Sequence, residues 1–269
     1  MLESFIQQTT KFLKSSNVRI FKPEYRGVII KEDGSPSVIF THNEEMYRSS
    51  NLEDNLILQI MVFFGVLDAT IDTLYPELEG EGFQKRYSLL PQDNDSNTII
   101  AQIYRILILM RNAAVHNKEA VSIQNNIITF KSGIKELSIT KIGLELLYST
   151  VLLFIKPTSS NKEYNMGILR RYYDEIKSNI SIFKDNNGEG IVEISDGIRL
   201  QVVVRYKVEN SQYNVDKDLI TILNPHNTGS ELYGSDYLIK FENRNISLPS
   251  EALDNEYKIS RDELLIWVE

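Results

Sequence analysis

Apolar positions along the first two-thirds of the chain recur at helical spacing. Residues 2–14 place Phe5, Ile6, Phe12 and Leu13 on one side of an amphipathic helix. The runs Val28-Ile29-Ile30 and Val38-Ile39-Phe40 flank a polar turn with Asp33-Gly34 and Pro36, which predicts a hairpin. Ser50 followed by Glu53 is a capping-box pair and predicts a long helix from Leu52 to the vicinity of Tyr75, stopped by Pro76. Beyond the polar loop Asp93 to Asn97, the stretch Thr98 to His116 reads as a core helix through Ile99, Ile103, Ile106, Leu107, Met110 and Ala114. A second hairpin follows, Val121 to Ile123 and Ile127 to Phe130 around Asn125-Asn126. Two more helices are expected, one through Leu144 to Ile155 ended by Pro157, the other over Tyr164 to Phe183.

From Asn186-Asn187-Gly188 onward the period becomes two. Ile191 to Ile194, Ile198 to Val208, Leu219 to Leu223, Tyr237 to Phe241 and Leu264 to Val268 read as strands, with turns at Asp196-Gly197, Asn224-Pro225 and Leu248-Pro249. The expected fold class is α+β. Residues 1–184 should form a helical bundle with small β-hairpin insertions, and residues 185–269 a small antiparallel β-rich domain, with Asp185 to Gly190 as the linker.

Composition narrows the chemistry. The 269 residues include no cysteine, which removes disulfides, thiolate metal sites and cysteine nucleophiles. The three histidines, His42, His116 and His226, lie too far apart in sequence for a local zinc motif. No cofactor and no metal site are expected. Gln7 and Gln8 interrupt the segment where a signal peptide would be apolar, and no uninterrupted apolar run reaches membrane-spanning length, so the expected location is the cytoplasm, away from the membrane. The net charge of −8 is unevenly spread. Residues 184–269 carry 9 Lys and Arg against 16 Asp and Glu, while the preceding residues are nearly balanced at 20 against 21. Any phosphate chemistry therefore belongs to the first two-thirds.

Chemistry is concentrated at Arg111-Asn112-Ala113-Ala114-Val115-His116-Asn117-Lys118. Asn112 and His116 are i and i+4 on the core helix, and their face continues back through Arg105 to Gln102. Arg111 lies about 140° around the axis from His116, so the two would converge only through the length of the arginine or across a dimer. An imidazole can take the proton from a ribose 2′-OH or deliver one to the leaving 5′-oxygen. A guanidinium can stabilise the charge on a pentacoordinate phosphorane. Asn112 would orient His116, and Arg105 and Lys118 would bind substrate phosphates. One histidine is half of an acid–base pair, and a two-fold dimer would supply the other half. A plainer reading is also open, in which Arg111 and His116 complement the dipole at the helix end, with Asn117 just beyond it.

Arg111-Asn112-x-x-x-His116 resembles the R-x4-6-H motif of the HEPN superfamily, in which the arginine is typically followed by Asn, Asp or His. Its context agrees, since it ends a long apolar helix with one long helix before it and another after. The resemblance covers about residues 1–183. It implies a four-to-five-helix bundle, a homodimer with paired motifs, and a metal-independent endoribonuclease used in toxin–antitoxin, abortive-infection or other defence roles. The two hairpins and the C-terminal β-domain have no counterpart in the minimal bundle. Partners expected on this basis are an RNA substrate and an antitoxin or other protein held by the C-terminal domain. Two alternatives stand beside the nuclease: a non-catalytic interaction or nucleic-acid-binding protein with a partner-docking β-domain, and a nucleotidyltransferase-paired toxin silent until released.

Other polar residues invite simpler readings. Asp68 and Asp72, i and i+4 on the long helix, suit an ion pair to Arg111 or Arg105, with Asp68 as a supporting residue behind the site. His42 is expected in a solvated loop and His226 in a turn. Tyr164, Tyr172, Tyr173 and Phe183 could stack bases, but helix packing explains them more simply. No P-loop, dinucleotide-binding fingerprint or nucleophile elbow is present.

Overall fold

A helix that is apolar on every face needs neighbours on every face. Helix α4 (Asp95–His116) is covered on every face as well, with every residue from Thr98 to Met110 buried, its polar Gln102 and Arg105 included. The computed structural model describes residues 2–16, 24–42, 52, 55–116 and 120–269; among them the protein is α+β, with seven α-helices and three β-sheets. The chain divides into two units. The first comprises Met1–Phe21, Glu45–Lys156 and Tyr172–Ser195, and the second Lys22–Glu44, Pro157–Arg171 and Asp196–Glu269.

In the first unit α4 is packed by α2 (Leu56–Leu74), a short α3 (Phe83–Leu89) and α5 (Lys141–Ile155), and α1 (Leu2–Ser15) packs on α2. Asn55 starts α2, its Oδ1 accepting the Leu58 N–H at 2.9 Å, and Pro76 opens the 3-10 turn that ends it. The expected capping pair Ser50 and Glu53 lies outside the described residues. Phe63 of α2 stacks on Tyr148 of α5 at 3.9 Å between ring centroids. Both α2 and the Asp95–Val115 stretch of α4 are long and apolar enough to cross a bilayer by length and composition; 78% of the α4 stretch is buried within the protein, against 44% for α2.

The expected second hairpin is the start of a larger antiparallel sheet, β3 (Val121–Gln124), β4 (Ile127–Ser132), β5 (Lys135–Thr140), β6 (Ile180–Asp185) and β7 (Gly188–Glu189), in that order. Asn125 and Asn126 both take positive φ, the backbone that a tight two-residue hairpin requires and that asparagine tolerates. Ile128, Phe130, Leu137, Ile139 and Phe183 are buried on one face. Helix α6 (Lys162–Ser178) stops before Phe183, which stands in β6 and not in the helix expected to reach it. The segment read as a linker, Asp185 to Gly190, is the β6–β7 turn.

In the second unit the order is β12 (Arg244–Pro249), β11 (Tyr233–Phe241), β8 (Val204–Val208), β1 (Glu24–Ile30), β2 (Pro36–His42). The strands β1, β8 and β11 run parallel, and the hairpins β1–β2 and β11–β12 flank them. The first hairpin is thus part of this sheet and not an insertion in the helical unit, which corrects both the expected 184/185 division and the expected purely antiparallel domain. Parallel partners distant in sequence leave no local signal. A small sheet β13 (Lys258–Ser260), β10 (Leu219–Ile222), β9 (Tyr213–Asp216) completes the unit with α7 (Arg261–Leu265). Ile191 to Ile194 and Ile198 to Gln201 form no strand, and Leu248-Pro249 ends β12 where a turn was expected. Leu264, read as strand, is helical because Ser260 and Glu263 form a capping box ahead of it.

Candidate functional site

Two arginines of the first unit are neutralised by carboxylates. Arg105, expected to bind substrate, is instead a buried structural group. Its Nη2 donates to Asp185 Oδ1 at 2.6 Å and its Nε to Oδ2 at 2.8 Å, with further bonds to the carbonyls of Gly188 and Gly190. Gln102 Oε1 accepts from Arg105 Nη1, and the guanidinium lies 4.7 Å over the Phe183 ring. Burial alone would raise the Asp185 carboxyl, but the bonds from Arg105 and Asn187 outweigh it and hold it below its ordinary value. The Gln102 end of the helix stripe is therefore an internal network that pins the β6–β7 turn to α4, not a solvent-lined groove. A helical wheel cannot distinguish these cases, because the covering strand comes from 80 residues away.

Asp68 serves Arg86 and Tyr104, not Arg111 or Arg105. Arg86 of α3 makes ion pairs with Asp68 and, at 3.0 Å, with Asp72, and the Tyr104 hydroxyl donates to Asp68 Oδ1 at 2.6 Å. Asp72 lies above its ordinary value, chiefly through burial, with Arg86 opposing.

Arg111 is held differently. Its Nη1 donates to Asn112 Oδ1 at 3.0 Å, and its guanidinium carbon lies 5.2 Å from the centre of the Phe83 ring. It is half-buried, its Nε has no hydrogen-bond partner, and no carboxylate faces it among the described residues. Both of these groups are neutral, so among the described residues its positive charge is fixed in place without being cancelled. Asn112, expected to orient His116, here touches Arg111. The His116 backbone closes α4 five residues after Arg111, while its imidazole and all of Lys118 lie outside the described residues.

Phe83, Arg86 and Asp185 were not singled out in sequence, since each acts through a tertiary contact. Phe83 had one local cue, an aromatic directly after Gly80-Glu81-Gly82 at the start of a short helix. Tyr164, Tyr172, Tyr173 and Phe183 are all buried, which fits packing. His226 sits 4.7 Å from the Tyr206 ring, its basicity lowered by burial, and His42 ends β2, its side chain outside the described residues. Among the described residues no group of three His, Asp or Glu side chains is placed to hold a metal ion. The chain matches no protein-family model, no curated protein and no solved structure at a significant level.

Proposed function

We propose that the protein is a metal-independent endoribonuclease of HEPN type, acting as a dimer, with Arg111 and His116 as its catalytic pair. The observation that carries this reading is the state of Arg111: of the three arginines on α3 and α4 described above, it alone keeps its charge uncompensated among the described residues, at the helix end that also bears His116.

In this reaction a ribose 2′-oxygen attacks the adjacent phosphorus, a 2′,3′-cyclic phosphate forms, and the 5′-oxygen leaves. His116 takes the 2′-OH proton, and the imidazole of a second copy returns one to the leaving oxygen. Arg111 stabilises the additional negative charge on the non-bridging oxygens. Asn112 keeps the guanidinium oriented. With 16 Asp and Glu against 9 Lys and Arg, residues 184–269 suit a protein partner, such as a neutralising antitoxin, better than RNA. A toxin or defence role in the cytoplasm follows from the same reading.

The test is RNA cleavage by the full chain in excess chelator. The wild type should generate 2′,3′-cyclic phosphate ends, His116→Ala should abolish cleavage, and Arg111→Ala should slow it by about 10²–10³-fold. Pure wild-type protein that leaves RNA intact while co-purifying with a tight protein partner would overturn the nuclease in favour of an interaction protein.

A further inference from the structure

The proposed site raises a physical problem. An arginine meant for phosphate must be oriented, yet the usual means of orienting one, a carboxylate, removes the charge it needs. Arg86 and Arg105 illustrate that outcome, each being fixed by Asp side chains.

Arg111 avoids it by resting on Phe83. The ring presents a face of negative electrostatic potential with no formal charge, so it holds a guanidinium while leaving the full +1 for a ligand. Phe83 is itself well anchored. Its ring meets Phe64 edge-on at 4.9 Å and 83°, and Phe64 stacks on Tyr104 at 5.7 Å and 12°. Tyr104 donates to Asp68, which also binds Arg86, three residues beyond Phe83 on α3. The aromatic contact and the helix register thus fix Phe83 from two directions. Both routes end on Asp68.

We infer that Phe83 is the positioning residue of Arg111, holding its guanidinium by a cation–π contact so that it meets an RNA phosphate with its charge intact. Asp68 supports that arrangement at one remove through Arg86 and Tyr104. This rests on the nuclease reading given above.

The experiment compares full-length wild type with Phe83→Leu, Phe83→Trp, Arg111→Ala and the double variant Phe83→Leu/Arg111→Ala on a short RNA in chelator. Alongside, the Arg111 side-chain Nε–H resonance is followed by NMR. Phe83→Leu should lower kcat about tenfold with little change in KM and remove the ring-current displacement of that resonance. Phe83→Trp should restore both. The double variant should be no slower than Arg111→Ala alone, because Phe83 acts only through Arg111. An active wild type with unimpaired Phe83→Leu, additive losses in the double variant, or a resonance indifferent to the ring would overturn the inference and leave the nuclease standing. A wild type that cuts no RNA would overturn both.

Discussion

At the residue scale, the Arg105–Asp185 pair shows how a buried charge is tolerated. The side chains are 5% and 6% exposed, and the guanidinium donates to the Asp185 carboxylate, the Gln102 amide oxygen and the carbonyls of Gly188 and Gly190. Asp185→Asn leaves Arg105 buried with too little counter-charge and should cost about 3–5 kcal/mol in urea unfolding. Asp185 is held below its ordinary value, so its contribution is complete above about pH 4 and fades as pH falls through the folded-state value. The gap between wild type and Asp185→Asn should narrow accordingly in acid. Asp72 has the opposite sign. Its folded-state value is raised, so its ionised form opposes folding at neutral pH and the penalty disappears on acidification. Asp72→Asn should therefore stabilise the protein at pH 7 and lose that advantage at lower pH, while Arg86 keeps Asp68 as partner. The i,i+4 spacing of Asp68 and Asp72 made an ion pair legible in sequence. Its partner was not, because Arg86 lies on a short helix with no recognisable period, whereas Arg105 and Arg111 stand on a long periodic one.

At the element scale, α5 begins where Thr140 Oγ1 accepts the Gly143 N–H at 3.0 Å. The cap needs only the backbone N–H of residue 143; it is the packing that requires glycine, since a Cβ there would lie 2.7 Å from Asn179 Cβ and 2.8 Å from Ile139 Cγ1. Helix propensity favours alanine by at most about 1 kcal/mol, whereas overpacking costs about 1–3 kcal/mol. Gly143→Ala should consequently lower Tm, measured by thermal unfolding. The long apolar helices α2, α4 and α5 were readable because their period persists over several turns. Strand patterns after residue 190 were less reliable, since Ile191 and Leu264 belong to apolar runs too short to separate strand, helix and loop.

At the scale of the molecule, each unit is assembled from discontinuous chain, and periodicity carries no information about which distant segments meet. The second unit centres on Arg205, fully buried with bonds to Asp236 and Glu251, while Tyr164 donates to Asp236 at 2.8 Å. Arg205→Met would strand two carboxylates in the interior and should cost more than about 3 kcal/mol, read as loss of the cooperative unfolding transition of this unit. A chain ending at Ser195 would likewise deprive β1 of β8 and expose the buried Val28; it should aggregate on expression, as judged by size-exclusion chromatography. That pairing also bears on synthesis. Arg26 and Tyr206, neighbours across the sheet, are separated by 180 residues. At about 5–20 residues per second, the ribosome releases the early hairpin roughly 10–40 s before its neighbouring strand exists. Throughout that interval a nascent edge stands open, so a chaperone or slow translation has its greatest influence there, before the last third of the polypeptide emerges.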